Sequence, residues 1–65
     1  MQHPAFELLT PREREVYELV VQGMSNAEIA NRLHYSEITI RKRVSSILAK
    51  FDLPSRSRLI ALSHD

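Results

Sequence analysis

The chain has no cysteine, no tryptophan, a single glycine and only three prolines among its 65 residues. Without cysteine there is no disulfide and no thiolate metal site, and a reducing compartment, the cytoplasm, is the expected location. So little glycine among good helix formers favours an all-α chain. No apolar run approaches the roughly 20 residues of a membrane span. The opening "MQHPAFELL" lacks a charged n-region and a cleavage site, so neither a membrane partner nor a signal peptide is expected. His3, His34 and His64 lie far apart with no clustered carboxylates, so no metal site is expected. There is no glycine-rich phosphate loop and no nucleophile–base constellation. The expectation is one domain over residues 1–65, ordered from about 8 to 63, with no enzymatic activity and no cofactor.

What is present is an uneven charge. The net charge is only +1, yet the two halves differ sharply. From Met1 to Glu37 three basic residues (Arg12, Arg14, Arg32) face six glutamates. From Ile38 to Ile60 there are six basic residues (Arg41, Lys42, Arg43, Lys50, Arg56, Arg58) against Asp52 alone. A concentrated positive surface of this kind is the footprint of a nucleic-acid binder.

Helix boundaries are legible in the punctuation. "TPRE" places Thr10 at an N-cap, Pro11 at the first helical position and Glu13 where a capping box needs it. The first helix is expected to run to about Gln22, burying Val16, Leu19 and Val20, with Gly23 closing it in the left-handed conformation. Tyr17 and Val21 flank that stripe, as peripheral core or as contacts for a partner domain. "SNAE" is a second capping box, opening a short helix from Asn26 to about Leu33 that buries Ile29, Ala30 and Leu33. Met24 and Ile29 have the spacing of a hydrophobic staple, as do Tyr35 and Ile40. Ser36 caps a third helix, Glu37 to about Phe51, and Ser55 a fourth, Arg56 to about Ser63. With every one of these serines at a cap, holding helix starts is their simplest role. A short helix, a tight connection and a longer helix form the helix-turn-helix plan, here without its usual glycine in the turn.

The third helix carries "RKR" inside a segment that must also bury apolar side chains. At about 100° per residue, Ile40, Val44, Ile47, Leu48 and Phe51 share one stripe. Lys42 and Ala49 point away from it. Ile38, Ser45 and Arg41 lie to one side of Lys42, and Thr39, Arg43, Ser46 and Lys50 to the other. Small residues let a helix approach a groove wall, while marginal cations reach phosphates on either side. Glu37, the one acid nearby, sits in the first turn, where the helix dipole favours it.

At this point the chain resembles the LuxR/NarL/GerE-type DNA-binding domain of bacterial transcription regulators, from Leu9 to about Leu62. "LTPREREV" looks like the family's opening block, "GMSNAEIANRL" like its scaffold-helix block and "SEITIRKRVSSILAKFDL" like its recognition-helix block. "SRSRLIAL" resembles the start of the final helix. The resemblance implies a four-helix domain whose third helix enters the major groove of double-stranded DNA. By position, Arg41, Lys42 and Ser45 match base contacts, and Ser25, Asn26, Thr39 and Lys50 match residues that hold or frame the phosphate backbone. Arg43, a marginal cation where the family often has histidine, joins the backbone group. Ile38 often corresponds to a basic residue, Ser46 to asparagine and Asp52 to glycine. In the fourth helix Leu59 and Leu62 are spaced i, i+3 with Ile60 at their side; part of this apolar set must dock on the core, and the rest is either core too or a dimer strip. The resemblance favours a homodimer on DNA, with Leu59 and Leu62 as its contacts, and RNA polymerase is a candidate partner. Two rival readings are a sigma factor's promoter-reading domain and a helical module that binds an acidic protein through its basic face.

Overall fold

A computed structural model describes residues 4–64. It contains four α-helices, α1 (Pro11–Val21), α2 (Asn26–Leu33), α3 (Glu37–Phe51) and α4 (Arg56–Ser63), preceded by a 3-10 turn at Pro4–Leu8. There is no strand among the described residues. No described helix is long and apolar enough to cross a membrane.

Each helix starts on the hydroxyl that its sequence offers. The Thr10 side chain accepts from the Glu13 N–H at 3.1 Å, and the Glu13 carboxylate accepts from the Thr10 N–H at 2.8 Å. Ser25 and Glu28 repeat the reciprocal pair at 3.2 and 2.8 Å. Ser36 caps α3 by accepting from the Thr39 N–H, and Ser55 caps α4 by accepting from the Arg58 N–H. Each cap satisfies backbone donors that the helix itself leaves open, for about 1 kcal/mol.

The ends of the first three helices share one device. Gly23, His34 and Asp52 all take the left-handed conformation, at φ 92°, 62° and 56°. The following amide then reaches back across the last turn: Met24 N–H to Leu19 O, Tyr35 N–H to Ala30 O and Leu53 N–H to Leu48 O, at 3.0 to 3.2 Å. This is the Schellman closure. His34 therefore occupies the position in the α2–α3 turn for which the absent glycine would be the unstrained choice.

The core is built from one stripe of each helix. Val16, Val20, Ile29, Ile40, Ile47 and Leu59 are almost fully removed from solvent, with Ala30, Val44 and Phe51 close behind. Leu19, Leu33 and Leu48 are only half-buried at its edge. The packing also reaches further towards the N-terminus than residue 8. Ala5 and Leu9 are buried, and the Phe6 ring meets Tyr17 edge-on at 5.4 Å. Tyr17 in turn stacks on Phe51, at 5.6 Å with 7° between the planes, so it is part of the core wall. The 3-10 turn was not among the expected elements, because its apolar residues are too few to show a period.

Candidate nucleic-acid interface

Burial of Ile40, Val44, Ile47 and Phe51 fixes the rotation of α3 about its axis. Ile38, Arg41, Lys42, Ser45 and Ala49 are consequently exposed together. Their spacing of three and four residues places them on one face. No carboxylate lies among them. The three expected base-contact residues, Arg41, Lys42 and Ser45, are thus brought onto one open strip.

The other margin of α3 is different. Thr39, Arg43, Ser46 and Lys50 are all half-buried, because this side packs against the start of α1. Glu13, only 6% exposed, lies at the centre of that contact. Its carboxylate accepts from the Ser46 hydroxyl at 2.5 Å and from the Lys50 ammonium at 2.6 Å, besides its bond to the Thr10 N–H. The Lys50 ammonium also donates to Leu8 O at 3.1 Å. Burial pushes the Glu13 carboxyl up, but these hydrogen bonds and the lysine's charge outweigh it and hold the pKa down to about 2.

Lys50, expected as a phosphate contact, is therefore an ion-pair partner that ties α3 to α1 and to the N-terminal turn. The capping box accounts for Glu13 so completely in the sequence that nothing is left to suggest its burial. The signal that could have exposed it is the i, i+4 pair Ser46 and Lys50, two donors on one margin of α3.

Arg43 lies with its guanidinium 5.4 Å from the centroid of the Tyr35 ring, and Arg12 lies 5.9 Å from the same ring. Both are within cation–π range. The pair brings a cation from α1 beside the one on α3, a juxtaposition that charge counting along the chain does not reveal. Thr39 shares a hydrogen bond with the Ser36 hydroxyl at 2.8 Å, so its side chain belongs to the α3 cap. At the start of α2, Ser25 is exposed and caps Glu28, while Asn26 is half-buried. The Asn26 Oδ1 accepts from Arg56, whose guanidinium also donates to Met24 O. Arg56 thus clamps the start of α4 onto the start of α2. Its role is missed by any reading that counts it as surface charge.

The fourth helix corrects one expectation outright. Leu59 is 0% exposed and belongs to the core, so it cannot also form a dimer contact. Leu62 and Ile60 are half-buried and Ala61 is exposed. Four consecutive apolar residues place apolar groups all round a helix. Which of them docks inward is decided by tertiary packing rather than by the pattern.

Comparison with known proteins agrees with this architecture. Residues 7–63 match the model of "Bacterial regulatory proteins, luxR family". The chain belongs to that family. It is a helix-turn-helix DNA-binding domain of a bacterial transcription regulator. The luxR family is one of DNA-binding regulators and not of enzymes. The spore germination protein GerE of Bacillus subtilis is 45% identical over 53 residues, covering 82% of this chain and 72% of GerE. A putative HTH-type transcriptional regulator of Mycobacterium tuberculosis, Rv0890c, is 46% identical over 52 residues, 80% of this chain. The response regulator protein VraR of Staphylococcus aureus is 38% identical over 55 residues, 85% of this chain. The luxR-family chain spans only 6% of the mycobacterial relative and 26% of VraR.

Proposed function

We propose that the domain reads double-stranded DNA by laying α3 in the major groove, with Arg41, Lys42 and Ser45 against base edges. The observation that carries this reading is the exposed, carboxylate-free strip on α3, opposite a buried stripe that fixes its orientation. Arg41 and Lys42 supply donors suited to guanine O6 and N7, and Ser45 is small enough for close approach. Ser25, Thr39, Arg43 and the amide of Asn26 frame the phosphates on either side. Lys50 contributes through the Glu13 pair, by holding α3 in place.

The domain pairs on DNA as a homodimer through α4, with Leu62 and its neighbours Ile60 and Ala61 at the contact. It works in the bacterial cytoplasm, with RNA polymerase as a candidate partner. Selection of bound sequences from random duplex DNA tests the reading. An enriched motif with two-fold-related halves is the expected result. A single promoter-like hexamer would favour a sigma-type reader, and no enrichment at all would favour a protein-interaction module.

A further inference from the structure

The outer face of α3 carries one side chain that neither charge nor capping accounts for. Ile38 is 60% exposed, and among the described residues Leu8 is the other large apolar side chain left so open. It stands in the first turn of α3, at i to Arg41, Lys42 and Ser45 at i+3, i+4 and i+7. That turn is held firmly. The Ser36 hydroxyl binds both the N–H and the hydroxyl of Thr39, and Ile40, two residues on, is fully buried. Ile38 is therefore fixed outward on the same strip as the cations.

An isoleucine in this place adds nothing to the core, and its β-branch is mildly unfavourable in a helix. It has no donor for a phosphate or a base edge. What it can do in a groove is cover an apolar group and remove both surfaces from water. The major groove of B-DNA offers such a group in the C5 methyl of thymine. We propose that Ile38 is a specificity-determining residue that packs on a thymine C5 methyl beside the base edges met by Arg41 and Lys42. The inference rests on the placement of α3 in the major groove given above, where the N-terminal turns of a recognition helix meet the bases.

Deoxyuridine provides the probe, since it lacks only the methyl group and keeps the hydrogen-bonding edges of thymidine. Each thymine of the enriched site is replaced singly, and binding is titrated with the unaltered domain, Ile38→Ala, Ile38→Val and Lys42→Ala. One thymine per half-site should lose about 3- to 10-fold in affinity on replacement. Ile38→Val should keep that sensitivity and Ile38→Ala should abolish it, binding both duplexes equally. Because Ile38 is exposed, thermal melts of the variants should match the unaltered domain. If no thymine responds through Ile38 while Lys42→Ala still shifts base preference, the methyl contact is wrong and the groove placement stands. If neither change alters preference, or no site is enriched, the placement of α3 fails and the inference with it.

Discussion

Two lysines eight residues apart on one helix have opposite work to do. Lys42 is exposed on the outward strip, where that strip borders the half-buried margin, whereas Lys50 ends on the buried carboxylate of Glu13. Lys42→Ala should cost roughly 1–3 kcal/mol on the preferred site and relax preference at one base position. Titrations on matched and single-substituted duplexes check this, and an equal loss on every sequence would mean that Lys42 grips only the backbone. Lys50→Ala instead strands a buried carboxylate. With the lysine side chain still 31% exposed, the loss should be roughly 2–3 kcal/mol of stability, below that of a fully buried pair. Urea unfolding measures it, and an unchanged midpoint would return Lys50 to the surface. The same pair sets an acid limit. Glu13 has a folded pKa of about 2 against an ordinary 4.5. Its contribution is therefore fully present above about pH 4.5 and is lost as the pH falls towards 2. Stability followed from pH 6 to 2 should drop in that window, and Glu13→Gln should flatten the drop. A profile unaffected by Glu13→Gln would show that other carboxylates govern acid unfolding.

At the level of the elements, most of the fold was legible because the helix starts are local chemistry. A hydroxyl three residues before a backbone N–H needs no distant partner, so Thr10, Ser25, Ser36 and Ser55 mark their helices in the bare sequence. The left-handed closures were legible only where glycine signals them. Gly23 was expected there, but His34 and Asp52 adopt the same conformation without such a signal. For an L-residue that conformation costs about 1–2 kcal/mol, part of which glycine gives back through its freer unfolded chain. His34→Gly should therefore raise stability by up to about 1 kcal/mol, a shift of several degrees in a domain this size. Asp52→Gly should give less, since the short aspartate tolerates left-handed backbone better than histidine. Thermal melts of both variants decide the matter. A lower melting temperature for His34→Gly would mean that the imidazole makes a contact worth more than the strain.

On the scale of the whole molecule, tertiary packing decides what periodicity leaves open. The exposed strip of α3 was readable because its apolar stripe is regular, and burial then confirmed which side faces out. Glu13 with Lys50, and Arg56 with Asn26, were not readable, because each joins residues more than 25 positions apart whose local roles looked complete. The apolar run Leu59–Leu62 was ambiguous for the reason already given, and the core took Leu59. What α4 retains for a second copy is a small surface around Leu62, Ile60 and Ala61, alongside the exposed Arg58. A patch of so few side chains is far smaller than the roughly 20–30 residues a side of a standard stable interface. Self-association in free solution should therefore be weak, and pairing should appear when DNA holds two copies side by side and raises their effective concentration. Leu62→Glu places a charge in that contact while leaving the fully buried Leu59 untouched. Binding to a paired site should fall about tenfold or more, with binding to an isolated half-site nearly unchanged. Sedimentation, titrations on both duplexes and a thermal melt separate the cases. Equal loss on paired and single sites with an unchanged melt would place the partner surface away from α4, because a dimer contact acts only when two copies are bound.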